Sequence, residues 1–285
     1  TRTECPCLGE SVAVRGSKTF QDNTLRSRWP FTRAGRRSSL QIAGSYNRSV
    51  STAQHGSSPA LAAAAEALVR VGRRFDQRGW VMGTSGNFSV VLDRNPLRLA
   101  VTPSGTFKGE LRADQILEMD ERARPIAAGE ARVSAEALLH VEVARARGAG
   151  AVLHTHSIWT TILSERHAAA GVLCIAGYEM LKGLEGVRTH EHREAIPIVG
   201  NDQDMTRLAG VVHDLLDQHP SAHGFLLRGH GLYTWGADLP QAVRHVEILE
   251  FLMEVVGRSS QLSAVSSQLG FGSEEPPRQQ LKAES

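Results

Sequence analysis

The chain has 285 residues, and its 32 basic side chains nearly balance 30 acidic ones for a formal net charge of +2. That balance sets up no field that would recruit nucleic acid or an anionic membrane, so the expected partner is a small molecule. Glu66 and other charges keep every apolar run short of the roughly 18 residues a membrane helix needs, and three cysteines are too few for a disulfide framework, which together predict a soluble, cytoplasmic protein.

Residues 1–58 are rich in Arg, Ser, Thr and Gly, poor in acids and without periodicity. They read as a disordered leader, tag-like or extended rather than an organellar transit peptide. From Pro59 the pattern turns helical, with Leu61, Ala65, Leu68, Val69, Gly72 and Phe75 near one face until Arg78-Gly79. Two short β-like runs follow, Phe88–Leu92 and Leu97–Val101, joined through Asp93-Arg-Asn-Pro as a hairpin, with a third strand at Ile116–Met119. Ser134 reads as the N-cap of a helix through Arg147 that Gly148-Ala-Gly150 stops.

Beyond it the chain alternates. A strand ends in His154-Thr-His156, a helix covers Ile158–Leu163, and strands fall near 172–175 and 196–199. A helix from about Asp204 to Leu216, strands around 224–227 and 232–235, and a final helix opening at Asp238-Leu-Pro240 complete the order. The expected fold is a three-layer α/β/α sandwich around a central, largely antiparallel sheet. Residues 59–258 form the folded catalytic domain in this reading, and 259–285 a flexible tail.

In a strand, residues two apart project from the same face, so His154 and His156 can reach one ion. His230, between Gly229 and Gly231, can be aimed back at them by a turn. Three imidazoles around a zinc ion leave its fourth position open, which is the mark of a site that works on substrate. His140, His190, His192, His213, His219, His223 and His245 read as packing or surface residues.

The loops Gly83–Asn87 and Thr102–Gly105 suit an anion, because glycines let backbone N–H groups approach phosphate oxygens and the hydroxyl and amide groups add donors. Ser134, ahead of a helix, offers another anchor. Two carboxylates, Glu136 beside Ser134 and Glu179 in Gly177-Tyr-Glu-Met-Leu-Lys-Gly183, can move protons. Sequence spacing does not rank them.

With these motifs, and with Thr84-Ser-Gly-Asn-Phe-Ser, Ser134-Ala-Glu, Asn201-Asp-Gln-Asp-Met and Arg228-Gly-His-Gly-Leu-Tyr-Thr-Trp-Gly, the stretch from about Pro59 to Arg258 resembles the class II aldolase/adducin family. The resemblance implies zinc ligands at His154, His156 and His230, phosphate contacts at Gly86, Asn87, Ser104, Gly105 and Ser134, an acid/base at Glu179, and a homotetramer with sites near subunit boundaries. It narrows to the family's bacterial dehydratases of methionine salvage, implying zinc-dependent dehydration of 5-methylthioribulose 1-phosphate to the 2,3-diketone phosphate. Ser134-Ala135-Glu136 replaces the Ser-Ser-Glu of the family's sugar-phosphate aldolases, which sets the aldolase role of Glu136 apart. Aldolase or epimerase activity of the same family is the alternative, and a non-catalytic adducin-like binding module is a third.

Overall fold

The computed structural model describes residues 58–127, 129 and 131–268. The leader expected over 1–58 therefore lies outside the described residues except for its last position. Ser58 is the N-cap of the first helix, its Oγ accepting from Leu61 N at 3.1 Å. That helix, α1 (Pro59–Gln77), opens on a proline whose missing N–H costs nothing there. Its buried stripe includes Leu68 and Phe75, both fully enclosed, each contributing about 1.5–3 kcal/mol of burial.

The strands β1 (Asn87–Arg94) and β2 (Leu97–Val101) form the expected hairpin, and β3 (Leu117–Asp120) pairs antiparallel with β2. Then come α2 (Ala137–Arg147), β4 (Ala151–Thr155), α3 (Ile158–Arg166), β5 (Val172–Ala176), β6 (Arg193–Val199), α4 (Met205–Gln218), β7 (Gly224–Leu227), β8 (Gly231–Gly236) and α5 (Leu239–Gln268). The strands make one eight-stranded sheet in the order β3-β2-β1-β4-β8-β7-β6-β5. Every neighbouring pair is antiparallel except β6 with β7, as the sequence led us to expect of a largely antiparallel sheet.

Helices cover both faces. Ala151 and Leu153 of β4 pack with α1 and the start of α5, whereas Val152, between them, packs with α2, α4 and the β8 residues Tyr233 and Trp235. The period of two thus sends His154 to the α2/α4 side and Thr155 to the α5 side, where its hydroxyl donates to Glu250 at 2.6 Å. Among the described residues no helix is long and apolar enough to cross a membrane.

Two boundaries depart from the sequence reading. Ser134 is not the N-cap: α2 starts at Ala137 with Glu136 in the capping position, and the Ser134 hydroxyl instead accepts from Glu136 N at 3.3 Å in the preceding turn. At the other end, α5 continues to Gln268 rather than giving way to a tail at 259. In its extension the Ser260 hydroxyl donates to the Val256 carbonyl at 2.9 Å and the Ser263 hydroxyl to the Ser259 carbonyl at 3.1 Å, local i to i+4 contacts that apolar periodicity does not register.

Candidate metal and substrate site

Four elements deliver the candidate residues to one end of the sheet. His154 is the penultimate residue of β4, fully buried, and its ring stacks on Tyr233, its cross-strand neighbour on β8, with centroids 3.9 Å apart. His154 Nδ1 lies 2.9 Å from the Leu232 carbonyl, which can only accept, so Nδ1 carries the proton and Nε2 presents a lone pair. His156 follows the strand and is fixed by its own N–H, which donates to the Trp80 carbonyl at 2.7 Å. His230 ends the turn between β7 and β8, after Gly229 at φ +62°.

The three rings converge. His154 Nε2 is 2.8 Å from His156 Nε2 and 3.3 Å from His230 Nε2, and the last two are 3.1 Å apart. Tetrahedral zinc–nitrogen bonds of about 2.0–2.1 Å would set ligand nitrogens about 3.3 Å apart, close to this triangle. Lone pairs facing one another at such distances repel unless a proton or cation lies among them, and burial opposes the proton. Burial, aided by the neighbouring His156, holds His154 well below the usual imidazole range, and burial with His230 lowers His156 to about 4. The donor set fits a divalent metal.

Glu136 completes the group: its Oε1 is 3.2 Å from His230 Nε2 and its Oε2 3.9 Å from His154 Nε2. Together Glu136, His154, His156 and His230 could hold a metal ion. Burial raises the Glu136 carboxyl, but the adjacent His230 and His154 imidazoles and the amide of Asn87 outweigh it and hold the group at about 2. Expected in the first turn of a helix, Glu136 points at the histidines instead of serving the helix terminus, because α2 lies on the face toward which His154 projects.

A cavity of about 400 Å³ opens beside this cluster. Its walls include Gly86, Asn87, Ser104, Gly105 and Ser134, the five positions read as phosphate contacts, together with Glu136, His156 and His230. Gly86 is there for two reasons: its φ is +70°, and a Cβ would strike the His154 carbonyl oxygen and Val81. The anion-type loop can thus lie directly against the histidine strand.

Glu179 is placed elsewhere. It starts a 3-10 turn over Glu179–Gly183, is exposed, and pairs with Lys182 at 2.6 Å and with His190 at 3.9 Å. It does not line the cavity of its own chain. The sequence placed it between the histidines only in the sense of chain order.

Three residues of the site neighbourhood escaped sequence reasoning. His140, expected as plain packing, is fully buried and joins a chain of hydrogen bonds from Ser89 Oγ (2.8 Å) through its own ring to Asn87 Oδ1, while Asn87 Nδ2 donates to Glu136 Oε2 at 2.7 Å. Its spacing from Glu136, four residues on a helix, was the available signal. Lys108 is buried and lines the cavity, and Glu250 lies behind Thr155; no local pattern marks either one.

Residues 66–256 match the family described as Class II Aldolase and Adducin N-terminal domain. The chain belongs to the class II aldolase/adducin family. Within it the chain is 44% identical over 194 residues to a methylthioribulose-1-phosphate dehydratase of Parvibaculum lavamentivorans, covering 68% of this chain and 92% of that one. It is 45% identical to the protein of the same name from Pseudomonas syringae pv. tomato, covering 66% and 90%. Among solved structures, L-fuculose-1-phosphate aldolase from Thermus thermophilus superposes with a TM-score of 0.57 at 25% identity, over 71% of this chain and 98% of that one. The class II aldolase fold is therefore the architecture that brings the histidines and the glycine loops together.

Proposed function

We propose that the chain is a zinc-dependent hydro-lyase that converts 5-methylthioribulose 1-phosphate to 2,3-diketo-5-methylthiopentyl 1-phosphate in methionine salvage. The observation that carries this reading is a cluster of three histidines and a glutamate at the edge of a cavity walled by glycine, serine and asparagine loops, in a chain 41–45% identical to dehydratases of that name. Zinc held by His154, His156 and His230 would supply Lewis acidity to the ketose oxygens as the neighbouring carbon loses its proton.

The protein's own groups divide the remaining work. Backbone N–H groups at Gly86 and Gly105 and the hydroxyls of Ser104 and Ser134 would bind the phosphate; Ser134 Oγ already accepts from Glu136 N, so its O–H is free to donate outward. One N–H of Asn87 is committed to Glu136, leaving the second for the substrate. A carboxylate takes the C3 proton, the C4 hydroxyl departs as water with a proton returned to it, and the resulting enol tautomerises to the diketone.

We assign that proton transfer to Glu179, acting from a neighbouring subunit of a homotetramer, and to Glu136 the anchoring of the histidine cluster. The exposure of Glu179 and of the adjacent Met180 supports an intersubunit role. A cytoplasmic location and a small phosphorylated ketose as the partner beside the chain's own copies complete the reading. A sugar-phosphate aldolase is the second reading, favoured by Glu136 lying among the histidines and by the aldolase fold. Incubating zinc-loaded protein with 5-methylthioribulose 1-phosphate tests both: diketone absorbance is expected, release of a two- or three-carbon fragment would move the assignment to the aldolase, and no reaction at stoichiometric zinc would defeat it.

A further inference from the structure

Lys108 is the first residue of a short 3-10 turn over Lys108–Glu110 and is only 1% exposed. Its Nζ donates to the Thr84 carbonyl at 3.0 Å and to the Thr106 carbonyl at 2.8 Å. Thr84 lies in the Gly83–Asn87 loop and Thr106 directly follows Thr102–Gly105, so one ammonium ties together the two loops that wall the cavity. The backbone under it is also fixed, because α1 passes so close at Gly72 that a Cβ there would overlap the Lys108 carbonyl oxygen.

An ammonium has three N–H donors, and two carbonyls use two of them. Among the described residues no carboxylate lies within ion-pair distance of Nζ, which is costly for a buried charge unless an anion arrives to pair with it. Glu136 is near enough for its charge to be felt, but it is engaged with Asn87 and His230. Of the described residues lining the cavity, Lys108 alone is a lysine or arginine. The other candidate anion contacts are neutral hydroxyl, amide and backbone groups, which orient a phosphate without balancing its two charges.

We propose that Lys108 recognises the phosphate of the substrate, donating its third N–H to a phosphate oxygen and making the site selective for phosphorylated over unphosphorylated ketoses. This rests on the sugar-phosphate reading of the cavity. It assigns to the two loops a shared cationic centre in addition to their backbone donors.

The test uses Lys108→Gln and Lys108→Met in the metal-loaded protein, with inorganic phosphate titrated calorimetrically as the charged probe and the unphosphorylated ketose as the neutral one. Phosphate affinity is expected to fall at least tenfold in both variants, with metal content and neutral-ketose binding held within about twofold, and KM to rise more than kcat falls. Phosphate affinity retained within twofold, equal loss of the neutral probe, or no phosphate binding by the unaltered protein would each overturn the proposal. Calorimetry needs no turnover, so failure of the dehydratase assignment shows separately, as an inactive parent protein that still discriminates phosphate through Lys108.

Discussion

The side-chain amide of Asn87 donates to Glu136 Oε2 at 2.7 Å, and this single contact joins the start of β1 to the start of α2 across the floor of the site. It also fixes the orientation of the amide: with Nδ2 turned to the carboxylate, Oδ1 must face His140, whose Nε2 therefore carries the proton while Nδ1 accepts from Ser89 Oγ. A buried imidazole is suited to that neutral donor role, since burial lowers His140 to about 4.

Removing the amide should therefore leave Glu136 loosely held and the His140 N–H without an acceptor. Asn87→Leu is expected to lower activity about 10–100-fold, the usual range for groups that orient a metal ligand. Steady-state rates alongside zinc content check this, and wild-type kinetics in the variant would reduce the contact to a packing detail.

His156→Ala removes one of three converging nitrogens, and two imidazoles hold a divalent ion far less well. Bound metal should drop to below about a tenth of stoichiometric, measured by elemental analysis, and the melting temperature should no longer rise on adding zinc. Chelation of the unaltered protein should reproduce the loss of activity, with recovery on adding the metal back.

The two carboxylates should separate by variant. Glu136→Gln is expected to weaken metal binding about 10–100-fold because its oxygens lie within the ligand cluster. Glu179→Gln should keep the metal but lose turnover. Mixing Glu179→Gln with His156→Ala subunits should restore part of the activity if sites draw on two chains, and a mixture as inactive as its parts would defeat the assignment of Glu179 to a neighbouring subunit's site.

Glu250 gives a pH signature. Burial pushes its carboxyl up to about 7, against the opposing hydrogen bonds from Ser157 and Thr155. The folded state thus holds a proton that the unfolded chain releases near 4.5, so the group's contribution to stability falls as pH rises from about 4.5 to about 7. The full effect is about 3 kcal/mol by the relation between pKa shift and free energy. Glu250→Gln keeps the hydroxyl contacts without the charge, so its melting temperature relative to the parent should be higher at pH 8 than at pH 5. An offset that does not change with pH would show that Glu250 does not titrate in this range.

Much of the element order was readable in advance because each element carries its own periodicity. The period of two in Ala151–Thr155 placed His154 and His156 on a shared face, and the glycines around His230 marked a turn that could bring it back. Local signals misjudged the ends: Ser134 resembles an N-cap, yet α2 begins three residues later because the Glu136 side chain is drawn to Asn87 and the histidines rather than to the helix terminus.

What the sequence determined by itself was the set of helices and strands, the three histidines able to share one face or turn toward it, and the glycine loops, all of which depend on spacing along the chain. Tertiary structure alone decided that Glu136 stands with the histidines while Glu179 faces solvent, that His140 and Glu250 support the site from behind, and that Lys108 joins the two loops at Thr84 and Thr106. The reason is physical: those relationships come from sheet pairing, such as His154 opposite Tyr233 and Asn87 opposite His154, and from helix packing between residues up to 95 positions apart. Periodicity reports which way a side chain points from its own element, and only packing decides what it meets there.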